Sequence, residues 1–200
     1  MVDSPKTISL PGLEDGRKAD ESCTIVIFGA SGDLTVRKLI PALYHLHLAG
    51  QMPESFRVVG FARREKTDAS WRVEMRAGVE TYSRTRRVDD AQWNAFAVNL
   101  SYHRGDLTDA GAYAGLARRL AGFGEPCLVN NLVLYLAISP SLFGEVVDQL
   151  HAADMLHRLE EGDEQWQRVV VEKPFGHDLQ SAHVLNNHLL RHVRERQIFR

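Results

Sequence analysis

The stretch TIVIFGASGDL, residues 24–34, decides the fold of this chain. Residues 24–28 are β-branched or aromatic, which predicts a short strand buried on both faces of a sheet. Gly29 ends that strand, and apolar side chains recur at helical spacing over residues 33–48, so a helix follows with almost no loop. A glycine turn between a buried strand and a helix brings backbone N–H groups close to any ligand held there.

The same alternation of strand and helix continues along the chain. Further strands are predicted at residues 57–62, 100–104, 127–137, 168–172 and 197–200. Helices are predicted between them at residues 71–82, 88–99, 109–120, 140–156 and 178–192. This order indicates βαβ units, and hence a doubly wound, mostly parallel, Rossmann-like α/β sheet. We expect a flexible leader over residues 1–21 and one dinucleotide-binding domain over residues 22–200.

Composition excludes several classes of protein. The net charge is −2 and the pI is about 6.5, so the chain has no general attraction to nucleic acid or to anionic lipid. Arg84, Arg86 and Arg87 are interpreted as a solvated loop rather than a nucleic-acid site. Two cysteines are too few for a disulfide framework, which favours the reducing cytoplasm. The sequence shows no run of about 20 apolar residues and no secretory signal, so we expect no membrane partner.

The glycine turn predicts an anion site, because it lets a pyrophosphate approach the start of a helix. It departs from G-x-G-x-x-G, since two residues separate Gly29 from Gly32. It is also not a G-x-x-x-x-G-K loop, because residue 34 is leucine. A purely structural strand-to-helix turn is the alternative.

Two further motifs follow predicted strands. Arg63 and Arg64 follow the second strand, where such folds meet the adenosine ribose, and a guanidinium there favours the 2′-phosphate of NADP over NAD. Glu65 leaves NAD open as a minor or dual cofactor. Lys173 follows the strand predicted at residues 168–172 and is restrained by Pro174, which suits contact with a phosphate or reacting hydroxyl. Solvated arginines and an ordinary surface turn are the alternatives.

Taken together, TIVIFGASGDLTVRKLIPALYHL, GFARRE, NNLVLYLAISPSLF, RVVVEKPFG and the terminal QIFR resemble the N-terminal part of glucose-6-phosphate dehydrogenases, over about residues 24–200. The resemblance implies oxidation of glucose 6-phosphate to 6-phosphoglucono-1,5-lactone with NADP, the entry step of the pentose phosphate pathway. It also implies cofactor-binding roles for these residues: Gly29, Ser31, Gly32, Asp33 and Leu34 in the diphosphate turn, Arg63 at the 2′-phosphate, Tyr135 beside the cofactor, and Lys173 touching both cofactor and sugar phosphate.

The chain departs from the family pattern in two ways. Thr35 and Val36 stand where an alanine and a lysine are usual, so a lysine contact there is not expected. The family's general-base histidine is expected beyond Arg200, in the segment that follows QIFR, so we expect cofactor binding without turnover and no catalytic residue in this chain. The resemblance further implies a homo-oligomer formed through a domain that this chain lacks. The alternative is a non-catalytic nucleotide-binding or scaffold protein that partners the full-length enzyme.

The histidines are not predicted to form a metal site. His183, His188 and His192 fall on the last helix, with the latter two one turn apart, but Leu189 breaks the H-E-x-x-H pattern. We therefore interpret them as solvated.

Overall fold

A parallel β-sheet forms the centre of the molecule. The computed structural model describes residues 21–83, 87–173 and 178–200. Within those ranges the strands are β1 (Cys23–Phe28), β2 (Phe56–Ala62), β3 (Leu100–Arg104), β4 (Leu132–Leu136), β5 (Gln167–Val171) and β6 (Ile198–Phe199). Their order across the sheet is β3-β2-β1-β4-β5-β6, and every neighbouring pair is parallel. The predicted doubly wound α/β fold is confirmed.

Helices connect the strands. They are α1 (Ile40–Leu48), α2 (Asp68–Tyr82), α3 (Asp90–Ala97), α4 (Ala110–Ala121), α5 (Pro126–Asn130), α6 (Phe143–Ala152) and α7 (Leu179–His192). A π-helical turn, Thr35–Leu39, leads into α1, and 3-10 turns at Pro140–Leu142 and Glu195–Gln197 precede α6 and β6. Asp89, Asp109 and Asp178 cap α3, α4 and α7 by accepting backbone N–H bonds, as aspartates at helix starts commonly do.

The sheet separates two hydrophobic cores because successive strand side chains point to opposite faces. Ile27 faces a core that α1, α2 and α3 complete with Tyr44, Trp71 and Phe96. Phe28, the next residue, faces the other core, which α4, α6 and α7 complete. Helices thus cover both faces, as a parallel sheet requires.

Two predicted boundaries are wrong. Residues 127–130 form helix α5 instead of the beginning of a strand, because Pro126 occupies its first turn, where its fixed φ favours a helix. The predicted helix over residues 140–156 ends at Ala152, and Asp154 then adopts a φ of 60° that turns the chain out of the helix.

Some predicted features lie outside the described residues. Residues 1–20 of the predicted leader are among them. So are two members of the arginine cluster, Arg84 and Arg86, and three residues of the EKPFG motif, Pro174, Phe175 and Gly176. Among the described helices, none combines the length and the apolar character needed to cross a bilayer.

Candidate functional site

The turn after β1 is fixed between the ends of two neighbouring strands. Gly29 has a φ of +89°, and a Cβ added to it would lie 2.2 Å from the carbonyl oxygen of Ala137, just after β4. On the other side, the N–H groups of Gly29 and Ala30 donate to the carbonyl oxygen of Phe61 in β2, at 3.0 and 3.2 Å. The Gly32 N–H closes the turn by donating to the Gly29 carbonyl at 2.8 Å. Position 29 therefore requires glycine both for its backbone angle and for the close approach.

A buried tryptophan supports this turn from below. The Trp71 indole N–H of α2 donates to the Ala30 carbonyl oxygen at 3.2 Å. Gly60 in β2 makes room for the indole, since a Cβ there would come within 2.6 Å of the ring. Thr35 is also fully buried, and its hydroxyl donates to the Gly29 carbonyl at 3.3 Å. Sequence reasoning missed Trp71, although a glycine inside a strand often marks a close approach of this kind.

The turn presents the start of a helix to solvent. Ser31, Gly32 and Leu34 are half-buried and Asp33 is exposed, so the outer side of the turn is accessible. The first N–H groups of a helix have no partner inside the helix and carry partial positive charge. The Asp33 carboxylate is paired with Arg37 at 3.0 Å, which offsets its negative charge beside this position. The arrangement suits an anionic group, as predicted for a diphosphate.

The two arginines after β2 point to different places. Tyr102 fixes the backbone here, because its hydroxyl donates to the Arg64 carbonyl at 2.7 Å. The Arg64 guanidinium reaches the glycine turn, where Nη1 lies 3.4 Å from the Ser31 carbonyl oxygen. Arg63 instead lines a cavity of about 530 Å³ beside the ends of β2 and β3, together with Arg104. Glu65 pairs with Arg104 at 3.5 Å on the exposed surface.

Two arginines, Arg63 and Arg104, and two aspartates, Asp106 and Asp109, line this cavity. His103 also lines it, and burial lowers the pKa of its imidazole, which keeps the ring neutral near pH 7. Asp106 remains ionised, because hydrogen bonds from the Thr108 N–H and hydroxyl, assisted by the nearby Arg63, lower the pKa of its carboxyl group. Arg63 and Arg104 are thus the cationic groups that an entering anion would meet.

Tyr135 is held by a residue of the next strand. Its hydroxyl donates to Glu172 Oε1 at 2.7 Å, and Tyr135 pairs in register with Val170, two residues before Glu172. Burial, with the adjacent Glu172 carboxylate, raises the pKa of the Tyr135 hydroxyl, which therefore remains protonated. Lys173 follows directly and is exposed. Lys173 was predicted from its position after a strand and Tyr135 from the family resemblance, but neither indicated the bond between Tyr135 and Glu172.

The predicted site residues lie at the carboxyl ends of four neighbouring strands. Arg63 follows β2, the glycine turn follows β1, Tyr135 lies near the end of β4, and Lys173 follows β5. Because the strands are parallel, all four positions lie at one edge of the sheet. Strands are about 4.8 Å apart, so the row measures roughly 15 Å. The connections run in opposite directions on the two sides of β1, and open α/β sheets bind ligands in the crevice at such a point.

Arg200 marks the position beyond which the family resemblance implies the general-base histidine. It directly follows β6, so it lies at the same edge of the sheet as the other predicted residues. Its side chain is exposed, donates to Glu195 Oε1 at 2.6 Å and contacts Asn186 of α7. Arg200 therefore acts in local contacts with α7 and the turn before β6, and no catalytic role is assigned to it. The histidine expected beyond it stays a prediction.

Comparison with known proteins decides the family. The family model "Glucose-6-phosphate dehydrogenase, NAD binding domain" matches residues 26–200. The chain belongs to the glucose-6-phosphate dehydrogenase family. It contains the dinucleotide-binding domain of this oxidoreductase family, which supports a nicotinamide dinucleotide as the cofactor.

Relatives and solved structures agree with this family. The chain is 39% identical over 181 residues to a glucose-6-phosphate 1-dehydrogenase of Aggregatibacter actinomycetemcomitans, and 35% identical over 179 residues to that of Chlamydia muridarum. These matches cover 90% and 89% of this chain but 35% of each relative. The fold also resembles a glucose-6-phosphate dehydrogenase solved "in complex with its substrate glucose-6-phosphate", with a TM-score of 0.76 and 34% sequence identity. That match covers 92% of this chain and 37% of the solved one. The chain thus spans about a third of the length of these glucose-6-phosphate dehydrogenases.

The interpretation of the α7 histidines as solvated is wrong for two of them. Nε2 of His188 and Nε2 of His192 each lie 2.8 Å from Asp148 Oδ1, and both rings are partly buried. His183 is exposed, as expected. The sequence hides this contact, because Asp148 belongs to α6 and reaches α7 only when the two helices pack together.

Proposed function

We propose that this chain is the NADP-binding part of an enzyme that oxidises glucose 6-phosphate at C1 to 6-phosphoglucono-1,5-lactone. In this reaction the C1 hydroxyl loses a proton to a base and C1 gives a hydride to the nicotinamide. Family membership supports the reaction, and a solved relative is described in complex with glucose-6-phosphate as its substrate.

The position of Arg63 is the observation that supports NADP. Dinucleotides of this fold place the adenosine ribose after the second strand of the unit, and Arg63 follows β2 and lines the cavity there. A guanidinium offers a bidentate fork to a 2′-phosphate. The acidic Glu65, which would favour a free ribose hydroxyl, is paired with Arg104 on the exposed surface. We therefore propose NADP as the main cofactor and NAD as a minor one.

The remaining roles follow the same row of strands. We propose that the turn of residues 31–34 holds the diphosphate through the N–H groups of Ser31, Asp33 and Leu34, while the Gly32 N–H closes the turn on the Gly29 carbonyl. Tyr135 would lie beside the nicotinamide half, because it occupies the strand on the far side of β1 from Arg63. Lys173, exposed at the end of β5, would contact both the cofactor and the sugar phosphate.

We expect the 200-residue chain to bind cofactor without turnover. Hydride loss requires a base within about 2.6 to 3.2 Å of the departing proton, or one water away. Among the strand residues that the structure describes, the histidine at the carboxyl edge of the sheet is His103 of β3. Its imidazole hydrogen-bonds to the Ala112 carbonyl at 2.9 Å, and β3 lies four strands away from β5, so we do not expect it to act as the base. Catalysis would then need groups from the rest of the longer relatives' length, beyond the position of Arg200. A cytoplasmic location and a homo-oligomer formed through that remainder stay predictions.

Calorimetric titration of the 200-residue chain with NADP and with NAD tests the cofactor. We expect NADP to bind more tightly, and Arg63→Ala to weaken NADP binding by about tenfold or more while leaving NAD unchanged, because a charge-assisted hydrogen bond contributes about 1.5 to 3 kcal/mol. Arg64→Ala is the matched control for the preference, since its guanidinium faces Ser31 of the proposed diphosphate turn and its loss should affect NADP and NAD alike. Equal affinities in the unmodified chain, or loss of the preference in Arg64→Ala alone, would contradict the assignment.

Activity is tested separately with glucose 6-phosphate and NADP. We expect no steady rise in NADPH absorbance with this chain. Steady production would show that the chain supplies its own base.

A further inference from the structure

Three metal-ligating side chains meet between α6 and α7, on the face of the sheet opposite Trp71. Asp148 lies on α6, and His188 and His192 lie one turn apart on α7. Their potential ligand atoms, two imidazole nitrogens and a carboxylate oxygen, all lie within 4.8 Å of one another. Both nitrogens contact the same oxygen, Asp148 Oδ1, at 2.8 Å.

The packing of the two helices fixes this cluster. Phe143, Val146, Val147 and Leu150 of α6 are buried against the sheet together with Leu189 of α7. The His188 ring lies over Gly144, in ordinary contact range with a Cβ built there. The His151 ring packs on His192 with 4.6 Å between ring centroids. The three ligands thus come from two helices that the core holds in place.

The cluster is also accessible. The side chains of His188, His192 and Asp148 are 31%, 19% and 46% exposed. Asp148 and His188 line a groove of about 600 Å³ between the two helices. An ion could therefore reach the ligands from solvent, and the groove leaves room for a water in a further coordination position.

We propose that Asp148, His188 and His192 bind one divalent transition-metal ion of the Zn²⁺, Co²⁺ or Ni²⁺ type. Two imidazoles and one carboxylate match the donors that these ions prefer, whereas Mg²⁺ and Ca²⁺ prefer oxygen ligands alone. Each imidazole would bind the ion through Nε2 as the neutral ring, with its single hydrogen on Nδ1, and the ion would replace the hydrogen bond between His188 and Asp148. Metal–ligand bonds of about 2.0 to 2.2 Å require the ligand atoms to move apart by roughly half an ångström, which their partial exposure permits.

A hydrogen-bonded link between the helices is the competing explanation for the same geometry. In that case His188 hydrogen-bonds to Asp148, His192 lies in contact with the same oxygen, and no ion takes part. The two explanations differ in what an added ion does, and the measurement is independent of enzyme activity.

Metal titration of the tag-free, chelator-treated chain distinguishes them. We expect calorimetry to show one Zn²⁺ per chain, with binding weakened at least tenfold in His188→Gln and in His192→Gln. His183→Gln is the matched control, because His183 is an exposed histidine of the same helix. Circular dichroism of each variant establishes that it is folded, and Zn²⁺ should raise the melting temperature of the unmodified chain but not that of the two variants.

Cobalt identifies the ligands. Co²⁺ should give the visible bands of a nitrogen and oxygen site, without a thiolate charge-transfer band from the exposed Cys127. The proposal is overturned if Zn²⁺ does not bind at concentrations up to about 1 mM. It is equally overturned if the glutamine variants bind Zn²⁺ as the unmodified chain does, if Mg²⁺ binds as tightly, or if a thiolate band appears.

Discussion

Gly29 and Ala137 approach each other so closely that any side chain at position 29 would overlap the Ala137 carbonyl oxygen, 2.2 Å from an ideal Cβ. The contact joins the turn after β1 to the residue after β4. These are the two strands between which the chain changes direction across the sheet. The backbone there is thus set both for the fold and for the crevice proposed to hold the dinucleotide.

Gly29→Ala should be far more costly than the same change at Gly50. Gly50 also has a positive φ, +67°, but a Cβ there would meet nothing within 4 Å. Gly50→Ala should therefore cost about 1 kcal/mol in unfolding free energy from backbone conformation alone, and Gly29→Ala about 3 kcal/mol or more because of the added clash. Urea denaturation measures both. Equal losses of unfolding free energy in the two variants would mean that the backbone near Ala137 moves aside at little cost.

Trp71→Phe should weaken both stability and cofactor binding. The phenyl ring cannot donate to the Ala30 carbonyl, and an unsatisfied buried acceptor costs about 1 to 3 kcal/mol. Trp93→Phe is the control, since Trp93 packs against Tyr44 and Phe96 in the same core. Both variants should unfold at lower urea, but only Trp71→Phe should raise the Kd for NADP. If Trp71→Phe binds NADP with the same Kd as Trp93→Phe, cofactor binding at the turn does not depend on the indole hydrogen bond.

Tyr135→Phe should weaken NADP binding by about two- to tenfold while the fold persists. The change removes the hydrogen bond that ties the end of β5 to β4, which contributes about 0.5 to 1.5 kcal/mol. Tyr82→Phe is the control, because Tyr82 is exposed and its ring lies under the Arg37 guanidinium. Calorimetry gives the affinities. An unchanged Kd in Tyr135→Phe would argue against any cofactor role for this hydroxyl.

Stability should fall as the pH drops below about 6.5, the ordinary pKa of histidine. Burial lowers the pKa values of His47 and His103 in the folded chain, and for His103 Arg118 and Arg119 act in the same direction. The unfolded chain then binds more protons between the folded and unfolded pKa values, so acidification favours unfolding in that window.

The test is urea denaturation at pH 7.5, 6.5 and 5.5. His103→Gln should reduce the loss between pH 6.5 and 5.5, while the exposed His183→Gln should follow the unmodified chain. The pKa of Asp106 is lowered in the folded chain, so its contribution to stability is lost only at a pH below this range and does not affect the comparison. A slope unchanged by His103→Gln would show that this histidine is not the group responsible.

Local patterns were sufficient for most of the fold. The β-branched run in β1 and the glycine after it predict a buried strand and a tight turn, because few other structures accommodate both. The same reasoning failed at residues 127–130, where the apolar run resembles a strand and only Pro126 signals a helix.

Contacts between distant residues could not be predicted in this way. Trp71 reaches Ala30 across 41 residues and His188 reaches Asp148 across 40. No spacing within one element encodes such pairs, since they depend on how the helices pack on the sheet. Arg63 and Lys173 were placed at the correct edge because parallel strands all end on the same side.

The order of the strands also constrains how the chain folds while it is being synthesised. β1 is central, but its second neighbour, β4, is made roughly a hundred residues later, since Thr24 pairs with Leu132. At about 5 to 20 residues per second, the ribosome takes on the order of 5 to 20 s to deliver it. During that interval β1 has only β2 beside it, and its other edge is open to wrong partners or to a chaperone. The crevice proposed to hold the dinucleotide, bounded by β1 and β4, therefore forms only after β4 has been synthesised.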